Sequence, residues 1–305
     1  MLSYTVKRFF LALLVAVAVS IITFLLLRLT GDIAAEMAGE DASAADIADI
    51  RHLYGLDRPL HVQYFEWAAG AVTGDLGESL YFRQPVSELV AGRLAVTMTL
   101  GACALAFALV LAIPLGVLAA IRPNTWIDRL ALTTSVFGQA LPSFWFALMM
   151  MILFGVMLRW LPISGNETWK HFVIPTIALG YYGTPAFMRL TRAGMMEVLA
   201  SDYIRTARAK GLGSFSVLFK HALRNAIIPV VSVAAVQLGF LLGGSVIMES
   251  IFALHGLGYL AYESILRSDV AVVQAVVLIF ALFYIVLTLL ADLLNGFLDP
   301  RIRIG

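Results

Sequence analysis

Charge is what this sequence has least of. Asp, Glu, Lys and Arg make up 13% of its 305 residues, while 61% are hydrophobic. A soluble enzyme of this size needs far more charge to cover its surface, so that class is excluded. Cysteine is nearly absent too: Cys103 stands alone, which rules out an internal disulfide and any cysteine-based metal site. No G-x-x-x-x-G-K-[ST] phosphate loop and no H-E-x-x-H motif occurs. The five histidines (His52, His61, His171, His221 and His255) are scattered without metal-ligand spacing. Ser164 lies in a turn-forming "PISG", not in a nucleophile elbow. The sequence therefore offers no catalytic constellation and no metal site.

What it does offer is apolar runs of membrane length. A helix of roughly 20 apolar residues crosses a hydrocarbon core about 30 Å thick, because lipid leaves no other way to satisfy backbone polar groups. Six spans are predicted, at about 9–29, 96–121, 130–160, 172–190, 227–251 and 270–294. The third is long and contains Pro142, which predicts a kink or an interfacial extension. The first run is nearly continuous, longer than the apolar region of a signal peptide, and reads as an uncleaved helix.

Basic residues set the orientation. Thirteen of the 21 Lys and Arg lie at the amino terminus, in the loop with Arg122 and Arg129, in 189–224, and in the carboxyl tail. By the positive-inside rule these regions, and so both termini, face the cytoplasm. The 30–94 segment lies outside, with 11 acidic and 4 basic residues. In it, Ala42 to Tyr54 reads as a short polar helix followed by a break at "GLDRPL". "VQYFEWAAGAV" reads as an amphipathic segment presenting Val62, Phe65, Trp67 and Ala69. A lid over the helix ends and a docking surface for an extracytoplasmic partner are equally compatible with this segment. The chain thus divides into 1–95, a first helix plus the outer segment, and 96–305, a five-helix core with a cytoplasmic loop at about 190–228.

Ionisable residues within membrane spans are the default functional candidates. Glu249 and Asp292 lie near the ends of the fifth and sixth spans, where snorkelling to interfacial water or meeting a partner helix is favoured over a proton relay. Deeper polar residues are Gln139, Tyr181, Tyr182, Gln237, Ser245 and Tyr284. Of these, Gln139, Tyr181, Gln237 and Ser245 are candidates for a hydrated path, with interhelical hydrogen bonding as the other reading. Gly256 and Gly258 in the outer loop 253–269 read as hinge or tight-turn positions. A path this poor in charge argues against an ion-coupled secondary carrier, the alternative function for such a chain.

The cytoplasmic loop is where charge concentrates. "DYIRTARAK" from Asp202 to Lys210 is a good helix former, and Gly211 and Gly213 break it. A second helix is predicted from Ser214, a natural N-cap. Phe215, Leu218, Phe219, Ala222, Leu223 and Ala226 then fall on one apolar stripe, with Lys220, His221, Arg224 and Asn225 off it. Such a stripe suits either the lipid interface or a groove on a cytosolic partner.

"RTARAKGL" and "HALRNAIIP" resemble the cytoplasmic motif of binding-protein-dependent ABC importer permeases, in the variant of the dipeptide, oligopeptide and nickel family. The superfamily's Glu-Ala-Ala triplet corresponds to Arg205, Thr206 and Ala207, of which the last alone fits. "YGLDRPLHVQYFEW", "GDLGESL", "LPSFWFAL", "LPISG", "ESIFALHGLGYLAYESILRSD" and "FLDPRIR" are similar to that family as well. His255 stands where a proline is usual, and Val270-Ala271 where Tyr-Pro is usual. The resemblance implies an all-α permease with the type I ABC importer fold and six transmembrane helices in the bacterial inner membrane. It implies two cytosolic ATPase subunits that hold ATP and Mg, an extracytoplasmic solute-binding protein, and a sister permease forming a heterodimer. Membrane lipid is the remaining partner, and nucleic acid is not one. No cofactor would be bound by this chain. The coupling residues would be Ala207, Gly211, Phe215, Leu218, Phe219 and Arg224, and the solute a di- or oligopeptide or a related small molecule.

Overall fold

A computed structural model describes residues 2–29, 32–39 and 42–298. Among these residues there is no β-strand, only an isolated bridge between Glu78 and Pro85. The chain begins with α1 (Leu2–Leu29), followed by the short helices α2 (Ile33–Ala38), α3 (Ala44–Leu53) and α4 (Leu60–Thr73). The core then runs through α5 (Val86–Ile121), α6 (Trp126–Ala140), α7 (Ser143–Met150), α8 (Val173–Leu199), α9 (Asp202–Ala209), α10 (Leu223–Ala226), α11 (Ile228–Phe252), α12 (Leu257–Leu266) and α13 (Val270–Leu298). Arg301 and Arg303, assigned above to the cytoplasmic tail, lie outside the described residues.

Four helices, α1, α5, α11 and α13, are each long and apolar enough to cross a membrane, and α6 with α7 and its continuation is a bent apolar pair that makes a fifth if it is one span. The break at Leu141 and Pro142 is a turn of 98°, far sharper than a proline kink. Both residues adopt extended backbone angles, so the helix stops and restarts in a new direction. The fourth expected span, 172–190, falls on α8, which has the length but carries Thr176, Tyr181, Tyr182, Thr184 and Arg189 among its apolar residues. Its surroundings explain this. α8 packs along α5 and also meets α6, α7 and α11, so protein takes the place of lipid along much of its length. Small residues let α5 and α8 approach: a Cβ on Gly180 would overlap the Ala104 carbonyl oxygen, and one on Gly116 would lie 2.7 Å from the Thr191 Cβ.

α1 lies against α13. Arg8 forms a 2.8 Å ion pair with Asp292, and the Tyr4 hydroxyl donates to the Asp292 carbonyl. Asp292 thus takes the partner-helix option open to it. Outside, α3 starts at Ser43 with a reciprocal capping box to Asp46, and that hydrogen bond holds the Asp46 carboxyl below the usual range. α4 meets α1 through Tyr64 and Trp67 around Phe24, not through the expected face: Phe65 and Ala69 are exposed. Positions 64, 67, 68 and 71 share a helical face, whereas 62, 65, 67 and 69 do not. A tight turn over 77–86 is fastened to the start of α13 by the Ser79 hydroxyl donating to buried Asp269.

Candidate functional site

Two places combine the sequence's unusual features with a defined geometry, one at each end of α11. On the face that charge assigns to the cytoplasm, α9 buries Ile204 and Ala207 and exposes Arg205, Arg208 and Lys210. It ends in a Schellman arrangement: Leu212 N–H donates to the Ala207 carbonyl and Gly211 N–H to that of Arg208. Gly211 takes φ +76° with open space where a Cβ would be, so glycine is needed there for its backbone and not for its size. The chain becomes helical again at Ser214, as predicted, and widens into a π-helix over Ser216–Ala222 before α10.

That wide turn divides the predicted stripe. In a π-helix, residues five apart share a face, so Val217 and Ala222 point together into the protein, with Ala226 one α-turn beyond. They pack with Val117, Ala120, Met195, Ile204 and Ala207. Ala207 is therefore a core residue. Phe215 and Phe219 point the other way, 75% and 46% exposed, with ring centroids 4.6 Å apart. Leu218 lies half-buried between the two faces, and Arg224 is exposed beside the ring pair's helix. Asn225 donates to the Tyr203 hydroxyl at 2.7 Å, bracing the second helix against α9. Close by, buried Asp128 at the start of α6 receives both Nε and Nη2 of Arg192 on α8, at 2.7 and 2.8 Å, and the Asn124 N–H. No local pattern announces this pair, 64 positions apart.

At the opposite end, Glu249 does not snorkel. It is fully buried in the last turn of α11. Its Oε1 accepts from the hydroxyls of Thr97 (2.8 Å) and Ser245 (2.9 Å), and its Oε2 from the backbone N–H of Gly258 (2.7 Å) and Tyr259 (3.1 Å). Thr97 in turn accepts from Leu257 N–H at 2.8 Å. The carboxylate thus satisfies the free N–H groups at the start of α12, where negative charge is also favoured by the helix dipole. Gly256 and Gly258 have no positive φ; they are close-approach positions. A Cβ on Gly256 would overlap Oε2 of Glu249, and one on Gly258 would lie 2.5 Å from the Val246 Cα. His255 is 3.3 Å from the Asn166 side chain and edge-on to Tyr259.

The four candidate path residues are dispersed. The Tyr181 hydroxyl donates to the Thr134 carbonyl at 2.6 Å, and Gln139 is exposed one turn further along α6. Gln237 is half-buried on α11 opposite Gly183. The Ser245 hydroxyl is committed to Glu249 and to the Leu242 carbonyl, buried inside the protein. Among the described residues no group of His, Cys, Asp and Glu is placed to hold a metal ion.

Comparison with known proteins agrees with this architecture. Residues 112–304 match the family described as binding-protein-dependent transport system inner membrane component, and residues 1–101 match the N-terminal membrane component of the same systems. The chain is 40% identical over 304 residues to the glutathione transport system permease protein GsiC of Salmonella typhimurium, covering 99% of both chains. The corresponding proteins of Pectobacterium atrosepticum and Escherichia coli K12 are 40% and 39% identical over the same length. Among solved structures, a chain of the inward-facing MetNI methionine ABC transporter superposes with a TM-score of 0.59 at 19% identity, covering 69% of this chain and 96% of that one. A chain of an amino acid ABC transporter gives a TM-score of 0.50 at 18% identity, covering 70% and 94%. At these identities the structural likeness shows the fold alone. This chain belongs to the binding-protein-dependent transport system inner membrane component family, and is a multi-pass inner-membrane permease of an ABC importer.

Proposed function

We propose that the chain imports short peptides or peptide-like solutes, glutathione among them, and that ATP hydrolysis takes place wholly in separate subunits. The observation that carries this reading is the exposed Phe215–Phe219 ring pair on a basic cytoplasmic face. Two phenyl rings in tilted contact, exposed beside Lys220 and Arg224, form an apolar patch that is stabilised when covered. We assign the cover to an ATPase subunit, with Phe215, Leu218 and Phe219 in its groove, Arg224 at the rim, and Gly211 and Ala207 fixing the angle of the helix. ATP and Mg then belong to that subunit, and this chain binds no cofactor of its own.

α11 gives the coupling a physical route. It starts two residues after α10 and runs unbroken to Glu249, so about 33 Å of rigid helix joins the coupling helix to the outer knot. Displacement of the ring pair therefore moves α12 at the far side. The 96–305 core performs this movement, and the 1–95 portion supports it from α1 and the outer segment. That the relatives are named for glutathione transport supports this solute class. Gln139, Tyr181 and Gln237 are assigned to the path, with Ser245 acting through Glu249, and a sister permease completes the pathway as a heterodimer.

Reconstitution in proteoliposomes tests this. With the sister permease, the ATPase subunits and the binding protein present, labelled glutathione or dipeptide enters only when ATP is supplied on the ATPase side. Uptake that persists without ATPase and stops when ion gradients are collapsed would identify a secondary carrier and overturn the reading.

A further inference from the structure

At the outer end of α1 a cavity of about 180 Å³ is bounded by three parts of the chain: α1 itself, the outer segment, and the start of α13. Its polar lining consists of Arg28, Tyr54, Glu78 and Gln274, and its apolar walls include Trp67 and Leu80. Gln274 is 4% exposed, and its Nε2 has no hydrogen-bond partner. The Nε of Arg28 is likewise buried without a partner, while its guanidinium lies 5.0 Å from the centre of the Phe24 ring. Unsatisfied buried donors are costly, and two of them beside one cavity call for an acceptor inside it. Glu78, by contrast, is exposed, so the cavity has donors within and an anion at its edge.

Depth identifies the acceptor. The apolar run of α1 spans about 30 Å before it reaches Arg28, which puts the guanidinium at the level of the outer headgroups. Leu26 and Leu29, flanking it on α1, are exposed aliphatic residues that suit acyl chains. Trp67 is an aromatic of the type that settles at this interface. We propose that the cavity seats a zwitterionic phospholipid headgroup of the outer leaflet, its phosphate on Arg28 and Gln274 and its ammonium on Glu78. The lipid fills the joint between α1, the outer segment and α13, and so fastens the first helix to the core.

Thermal unfolding of the assembled transporter tests the site, delipidated in detergent and then supplied with phosphatidylethanolamine, phosphatidylglycerol or free phosphoethanolamine. Phosphatidylethanolamine is expected to stabilise the wild type more than phosphatidylglycerol does, and free phosphoethanolamine to have little effect. Gln274→Leu removes an unpartnered donor, so the delipidated variant should be at least as stable as wild type, yet bind phosphatidylethanolamine about tenfold more weakly or worse. Arg28→Ala should lose the lipid effect as well. An undiminished lipid response in both variants overturns the proposal. So does a delipidated Gln274→Leu protein less stable than wild type, which would mean that Nε2 has a partner within the protein. Equal stabilisation by free phosphoethanolamine would overturn the lipid as the source of the headgroup.

Discussion

Replacing Glu249 separates two ways in which a buried carboxylate can hold a structure. In Glu249→Ala all four acceptor contacts disappear. The two hydroxyls are free to rotate, and Ser245 already has the Leu242 carbonyl as an alternative acceptor. The backbone N–H of Gly258 has no such freedom and is left buried without a partner, at a cost of about 1–3 kcal/mol. Tyr259 N–H is only partly buried and recovers some hydration. The void left by the side chain adds to the loss, and relief from desolvating a carboxylate offsets part of it. The net local cost is about 2–4 kcal/mol, concentrated at the start of α12.

Glu249→Gln should behave differently. The amide oxygen can face Gly258 and Tyr259, whose N–H groups can only donate, while the amide nitrogen faces two hydroxyls that can accept. Only the Thr97 hydroxyl proton then loses its acceptor, for about 1 kcal/mol. Hydrogen–deuterium exchange at residues 257–259 in the assembled transporter reads this directly, since about 1.4 kcal/mol corresponds to tenfold in protection. The alanine variant should exchange roughly 30- to 1,000-fold faster there, and the glutamine variant within about tenfold of wild type. Unchanged exchange in Glu249→Ala would refute the claim that the carboxylate holds α12. Equal lability of the two variants would refute the assignment of donors and acceptors.

Three further outcomes are expected. Gly211→Trp forces a side chain into a left-handed backbone at about 1–2 kcal/mol, with open space at the Cβ position; insertion and assembly should persist while transport per ATP hydrolysed falls, and normal transport would sink the proposed role. A Cys103→Ser, Phe215→Cys variant carries one cysteine, at a position 75% exposed, and that cysteine should crosslink to the ATPase subunit; no crosslink in an intact complex would count against the groove. Gly180→Ala drives a methyl into the Ala104 carbonyl at the α5–α8 contact and should lower the unfolding temperature by an amount equivalent to about 1–3 kcal/mol, an effect absent from Gly243→Ala, where the space is open.

The parts of this fold that were legible in the sequence are those set by neighbours in the chain. Hydrophobic runs located the spans, Ser214 marked a helix start, and Gly211 marked a helix end, because caps and periods act within a few residues. Pro142 announced a break but not its angle, since the 98° turn depends on Leu141 also leaving the helix. The apolar stripe after Ser214 was read at α-helical spacing, and the π-turn reassigned it, burying Val217 and releasing Phe215. α8 shows the complementary limit. Its polar residues weaken the signal of a span, because what surrounds it is α5, α6 and α11, and composition does not say who a helix's neighbours are.

Glu249 shows how near the missing information lay. An acid near the end of an apolar run has good reason to reach for water, and snorkelling was the sound expectation for it taken alone. What reverses the outcome is a set of partners, one of them Thr97, 152 positions away, and no local pattern reports that pairing. The loop side was visible, however. Gly256 and Gly258 follow the acid at seven and nine positions, and taken alone suggest a hinge or tight turn because glycine is usually needed for its backbone freedom. Neither has a positive φ. Both are needed because a Cβ at either place would collide with Glu249 or with its helix, so the glycines are the footprint of the carboxylate. An intramembrane acid followed within ten residues by two glycines at the start of an outer helix is therefore better read as a cap that has been given room than as a group seeking solvent.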